Sequence, residues 1–386
     1  KHCTPSISRC VTANLAPCPP PLTPRYNASE RYSRTSFSPW VRSDYYGGCL
    51  CCSELPRLLL PPSFMLFSIF SRRRRRPPRG LLVAGGVKRP TLEPLEPREL
   101  LAVALLDDVS VASHSGEKPQ SKVWTHDDQW WTVMPRDSGA WIWKLQGNAW
   151  SPHLQLSNDS SVHADVKANG DLTHVLLYDG VYSRLAPVEY DDVRDTYSPW
   201  SLRPELVDVV LSGGVETATI DVDSTGRMWL ASDAGSTVEV RHSDGLYTDW
   251  SAPITVGTGI TSDDIAAITT IGNDSIAVMW SNQNSRRFYL RTHRDGDPAD
   301  NWTAVEAAAG QSALNVGAGM ADDHLNLAAA QDGTLYAAVK TGYDSSGRPE
   351  IALLVRRPEG VWEDLIPIDG RGTRPIVVLS EGADRL

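Results

Sequence analysis

Four short phrases hold the side chains best suited to chemistry. They are His163 with Asp165, Glu216, Asp263 with Asp264, and Asp322 with Asp323 and His324. Carboxylate oxygens gathered at one point could hold a hard cation such as Ca²⁺, which prefers oxygen ligands. They could equally accept hydrogen bonds from sugar hydroxyls. The plainer alternative is that acidic residues begin strands after turns and stay solvated. What sets these residues apart is their equivalence: each phrase enters a similar stretch of alternating apolar and polar residues. No catalytic residue is assigned. After position 118 there is no G-x-S-x-G, H-E-x-x-H, P-loop or C-x-x-C. Gly317 and Gly319 follow no dinucleotide-binding context.

Residues that far apart in sequence can meet only if repeated elements bring them together. A repeat is visible in the tryptophans at 150, 200, 250, 302 and 362, spaced by 50, 50, 52 and 60 residues. Trp150, Trp250, Trp302 and Trp362 each follow a strand-like run and a turn at Gly147, Gly245, Gly296 or Gly360. Upstream lies a second hairpin pattern, turning at Gly170, Gly226, Gly272 or Gly333. Each unit therefore reads as four antiparallel strands in about 50 residues, the signature of a β-propeller blade. A β-sandwich would need about 100 residues per domain.

The repeat predicts an all-β chain with five complete blades, at 119–156, 162–206, 216–256, 263–306 and 323–367. Residues 374–386 read as the first strand and turn of a sixth. That pattern implies a fragment of a longer protein with six or more blades and further C-terminal domains. Each recurrent Trp is expected to open the outermost strand and seal neighbouring sheets, burying about 150–250 Å². A row of ligand-stacking aromatics, as in some propeller lectins, is the alternative. The acidic phrases would then lie at the mouth of the central channel.

Charge divides the 386 residues. Positions 1–104 carry a formal +10 and positions 105–386 a formal −20. The acidic part should repel nucleic acid and anionic membrane. All six cysteines, Cys3, Cys10, Cys18, Cys49, Cys51 and Cys52, fall in the opening segment. Their spacing fits neither a usual zinc site nor a clear disulfide framework. Residues 1–64 thus read as a low-order segment, consistent with translation upstream of a start at Met65. Residues 65–104 form a basic leader with five consecutive arginines, 72–76, and 105–118 a linker to the propeller at 119–386. No apolar run approaches the roughly 20 residues of a membrane-spanning helix.

Within the leader stand Leu95, Glu96, Pro97, Arg98, Glu99, Leu100 and Leu101. The heptapeptide resembles the LEPR-XLL segment near the N-termini of very large secreted or surface proteins of planctomycetes and some other Gram-negative bacteria. The resemblance covers about a tenth of the chain and implies a bacterial protein that is secreted or displayed at the cell surface. The alternative is a short amphipathic helix with no addressing role. The Trp-Ser phrases are similar to sequences near sialidase repeats, and residues 222–229, VDSTGRMW, resemble the Asp-box turn. Ser224 stands where that motif has Asp and Val222 where it has Ser, and such boxes are structural. A sialidase needs clustered arginines for the substrate carboxylate, a Tyr nucleophile assisted by Glu, and an acid/base Asp. Arg184, Arg227, Arg241, Arg291 and Tyr289 are present, but no Arg-Ile-Pro phrase is. The expected function is a binding or interaction module for a glycan or protein ligand, or part of a large adhesin; a sialidase-like glycoside hydrolase and a structural spacer are the alternatives.

Overall fold

The computed structural model describes residues 106–113, 118, 121–344 and 347–380. The opening segment with its cysteines, the basic leader and the LEPR-XLL-like residues 95–101 lie outside the described residues.

Every regular element among the described residues is a strand. Blade 1 holds β1 (Val123–His126), β2 (Gln129–Arg136), β3 (Gly139–Gln146) and β4 (Ala149–Ser157). Blade 2 holds β5 (His163–Asn169), β6 (Leu172–Tyr178), β7 (Tyr182–Asp191) and β8 (Thr196–Pro199), with β9 (Val207–Val210) also paired to β7. Blade 3 holds β10 (Ala218–Val222), β11 (Met228–Ala234), β12 (Thr237–Ser243) and β13 (Ile254–Thr258). Blade 4 holds β14 (Ala266–Ile271), β15 (Ser275–Asn282), β16 (Arg287–Arg294) and β17 (Glu306–Ala307). Blade 5 holds β18 (Leu325–Ala329), β19 (Leu335–Lys340), β20 (Ile351–Arg356) and β21 (Ile366–Asp369). Each sheet is an antiparallel meander in sequence order.

Local sequence accounts for these hairpins. Asn169-Gly170 closes the first hairpin of blade 2 with Gly170 at φ +59°, a conformation costly for a residue with a Cβ. Gly139 (φ +122°) opens β3 so tightly against β4 that a Cβ would lie 1.8 Å from the Ser157 carbonyl oxygen. Second strands such as β11 and β15 are buried along nearly their whole length, because a neighbouring blade covers each face.

The first strands of successive sheets abut, β1 with β5, β5 with β10, β10 with β14 and β14 with β18, which makes them innermost. Four apolar cores fill the spaces between blades. The core between blades 1 and 2 centres on Trp131, Val133, Val175 and Leu177. Leu176, Leu185, Met228 and Leu230 fill the next, and Trp229, Val238, Ile276 and Val278 the one between blades 3 and 4. Met279, Phe288, Leu335 and Leu354 fill the last. Blades 1 and 5 face each other across a cavity of about 440 Å³ lined by Val123, Met134, Trp150, Leu325, Leu327 and Ile376. The sixth-blade strand expected over 374–386 is not shown among the described residues. Residues 375–379 form no strand; the Val377 amide donates to the Asn326 side-chain oxygen at 3.0 Å without ladder pairing. Residues 381–386 lie outside the described residues.

The tryptophans take related but unequal places. Trp302, in blade 4, packs edge-on against Trp229 of blade 3, ring centroids 5.7 Å apart. Trp362, in blade 5, donates its indole N–H to Glu306 of blade 4 at 3.0 Å. Trp250 packs on the core between blades 2 and 3, and Trp150 lines the cavity between blades 1 and 5. Trp200 departs from the series. It lies past the end of β8, edge-on to His174 and under the Arg203 guanidinium, while Tyr190 and Tyr197 fill the space against blade 1.

Candidate functional site at the channel mouth

The loops entering β10, β14 and β18 carry Glu216, Asp263 and the Asp322-Asp323-His324 triplet. Between them stands a residue from before the first blade. The Lys118 ammonium pairs with Glu216 Oε1, lies 3.2 Å from Asp323 Oδ2, and lies 3.8 Å from Asp263 Oδ1. Three blades thus meet on one cation. Residues 106–113 run along blade 1: the Asp107 amide donates to the Asn148 carbonyl at 2.8 Å and the Ala112 amide to the Pro135 carbonyl at 3.1 Å.

Each loop is held from behind. Asp233, at the end of β11, accepts the Glu216 amide at 2.8 Å and the Thr217 amide at 2.9 Å, one on each oxygen. Asp264 is fully buried and accepts the amides of Thr261 at 2.7 Å and Gln283 at 3.0 Å, leaving its neighbour Asp263 exposed. In blade 5, Lys340 of β19 donates to Asp322 Oδ1 at 2.9 Å, and His324 Nδ1 lies 2.5 Å from Asp323 Oδ1.

Ionisation follows from these contacts. Burial alone would lower the Lys118 pKa, but the hydrogen bond to Glu216 and the charges of Glu216 and Asp323 outweigh it and raise it. Burial also works against the imidazolium of His324, and hydrogen bonds to Asp322 and Asp323 overcome it, raising its pKa. For Asp323 burial favours the neutral acid; its contacts with His324 and Asp322 and the Lys118 charge hold it well below the usual carboxylate range. Asp233 goes the other way: burial pushes it up to about 7, against the pull of its backbone donors.

The structure therefore brings together Glu216, Asp263, Asp322, Asp323 and His324, and not the other three expected residues. His163 lies on β5 with its ring stacked over Tyr178, centroids 6.4 Å apart. Asp165 is buried on the same strand, accepting the Ser121 amide at 2.5 Å and the Ile220 amide at 2.8 Å. Asp264 is a structural acceptor, as above. Two residues that position the mouth escape a periodicity search. Lys118 has no counterpart in any other blade. Asp233 sits in an otherwise buried strand, and that placement was a usable signal, since a carboxylate inside an apolar strand must find donors.

For Ca²⁺, the donor set gives carboxylates from three blades, but their meeting point already holds the Lys118 ammonium. The arginines do not converge. Arg184 donates to Ser157 at 3.1 Å, Arg227 to Asp244 at 2.8 Å, Arg241 to Ser212 at 2.9 Å and Arg291 to the Val256 carbonyl at 3.2 Å. Three of them lie on the third strands of blades 2, 3 and 4, and Arg227 lies in the turn before β11. Tyr289 packs on Trp280. In the Asp-box-like turn, Asp223 accepts the Thr225 and Arg227 amides and the Trp229 indole N–H, so it fixes the turn and the ring together.

No family model and no curated protein matches the chain. Several solved structures resemble it at low identity. An α-L-arabinanase of Penicillium chrysogenum complexed with arabinobiose aligns at TM-score 0.43 and 12% identity, over 68% of this chain and 85% of that one. The Aleuria aurantia lectin, in complex with α-methyl-L-fucoside, aligns at 0.39 and 12%, over 64% and 76%. A xylan β-1,4-xylosidase of Bacillus halodurans aligns at 0.38 and 12%, over 67% and 57%. The chain thus spans little more than half the length of the xylosidase, and 43% of the NanB sialidase of Streptococcus pneumoniae. Likeness of this degree assigns no activity, ligand or partner to the chain.

Proposed function

We propose that this protein is an exported binding module that takes a glycan at the mouth of its channel. One observation carries the proposal: Glu216, Asp263 and Asp323, from three separate blades, converge on one charged group. Oriented carboxylates accept hydrogen bonds from hydroxyl or amino groups of a sugar, and Asp233 and Asp264 hold the loops that present them. Arg184, Arg227, Arg241 and Arg291 make separate contacts and form no joint clamp for a substrate carboxylate; the sialidase-like hydrolase remains the alternative, decided by a turnover assay. Export rests on the basic leader and its LEPR-XLL-like heptapeptide. The test is a glycan array probed with the full chain and with an E216Q/D323N variant, beside a fluorogenic glycoside assay. Binding by the wild type, loss of binding in the variant and no sugar release are expected. Binding that survives the variant moves the site elsewhere, and turnover makes the protein a hydrolase.

A further inference from the structure

Lys118 enters the mouth from outside the repeat, and it meets the mouth as a ligand would. Its ammonium takes Glu216 Oε1 and lies 3.2 Å from Asp323 Oδ2, yet Glu216 Oε2 is buried and accepts nothing. A second feature points to a ligand independently. His324 is 7% exposed, and its Nε2 has no hydrogen-bond partner. Both Lys118 and His324 line the cavity of about 440 Å³ between blades 1 and 5, whose wall includes Trp150, Met134 and Leu327. Acidic oxygens that already hold one ammonium, with an unmatched imidazole beside them, match a compact molecule with an ammonium group and hydroxyls.

We propose that the mouth and this cavity form an amino-sugar site, with Lys118 as the built-in occupant that the sugar ammonium displaces. The proposal rests on the glycan reading above and narrows it to sugars with a free amino group. Displacement exchanges one ammonium for another on Glu216 and Asp323, so the charge of the site is conserved. Pyranose hydroxyls then face His324 Nε2 and Glu216 Oε2. Neutral sugars bring no cation to Glu216 and Asp323, so they are excluded whether or not Lys118 is in place.

Two measurements test this on the full chain. In the first, D-glucosamine, D-glucose and N-acetyl-D-glucosamine are titrated calorimetrically into the wild type and Lys118→Met. Glucosamine should bind Lys118→Met at least tenfold more tightly than the wild type, and the two neutral sugars should bind neither. Lys118→Arg, which keeps a cation in place, should bind no better than the wild type. Equal glucosamine affinity in wild type and Lys118→Met, or equal binding of glucose, overturns the proposal. The second needs no variant: the wild type is treated with an amine-acylating ester and Lys118 is followed by mass spectrometry. Glucosamine should raise Lys118 labelling and glucose should not; unchanged labelling at saturating glucosamine overturns displacement. If the array finds neutral glycans that depend on Glu216 and Asp323 while glucosamine does not displace Lys118, the ammonium inference falls and the glycan reading stands. If glucosamine displaces Lys118 but no arrayed glycan binds, the glycan reading falls and the ammonium site stands.

Discussion

At the scale of single residues, a sequestered charge persists only where partners replace the water it has lost. Asp323 and His324 satisfy this mutually, with Asp322, Lys340 and Lys118 around them. Their linkage to stability has two limbs. Asp323 is held low, so its contribution is present above about pH 4 and is lost as pH falls through its depressed value. His324 is held high, so its contribution is full below about pH 6.5 and is lost as pH rises through its raised value. His324→Gln should therefore remove part of the stability loss seen by denaturant unfolding as pH rises from about 6 to 8. An unchanged alkaline limb would show that His324 is not protonated there. Asp233 acts on the mouth through Glu216. Asp233→Asn offers an amide nitrogen where the carboxylate accepted a backbone N–H, and should cost about 1–3 kcal/mol. It should weaken ligand binding too, although it contacts none of the three charge partners of Lys118 other than through the Glu216 amide.

At the scale of elements, the inner strands are stapled by side chains that accept amides from the next blade. Asp165 of β5 takes the Ile220 amide of β10 at 2.8 Å. Thr219 and Asp221 of β10 take the Ile268 and Thr270 amides of β14, both at 2.9 Å. These strands are too far apart for a backbone ladder, so short polar side chains span the gap around the channel. Burial pushes Asp165 up to about 7, despite its two amide donors. A buried acid raised in this way favours the folded state at low pH, and that contribution is lost as pH climbs from about 4 through 7. Asp165→Asn removes this pH dependence and loses one of the two acceptors, so it should lower stability by about 1–3 kcal/mol at pH 5, read by urea unfolding. An unaltered pH profile would contradict the assignment.

The same staples show what was legible in the sequence. Strand order and blade bounds were, because paired glycine turns and apolar alternation recur every fifty or so residues. The clustering of Glu216, Asp263 and Asp323 was also legible, since equivalent loops must share one end of a ring. The fate of Asp165 and Asp264 was not, because a solvated carboxylate and one that binds backbone amides read alike in sequence. Lys118 was invisible for a different reason: periodicity detects repeated residues, and this lysine occurs once.

At the scale of the molecule, stability lies between blades. Arg356 of β20, 7% exposed, grips Glu306 of blade 4 with two hydrogen bonds, at 2.7 and 2.8 Å, and the Trp362 indole shares the same carboxylate. Such a fork-to-fork pair is directional as well as strong. Glu306→Ala should cost about 2 kcal/mol, by loss of charge-assisted hydrogen bonds, and Trp302→Ala about 3–5 kcal/mol, by loss of a buried ring. Both should be read as unfolding midpoints; surface-like effects below about 0.5 kcal/mol would mean the blades are not cemented there. The ring also explains why a residue preceding the first blade can meet loops from the third, fourth and fifth. That meeting is measured most directly by the Lys118 side-chain pKa, from heteronuclear NMR of the wild type and of E216Q/D323N. The wild type should titrate above an ordinary lysine, and the double variant should fall below the wild type. An ordinary, unchanged value in both proteins would mean that the three blades do not converge on Lys118.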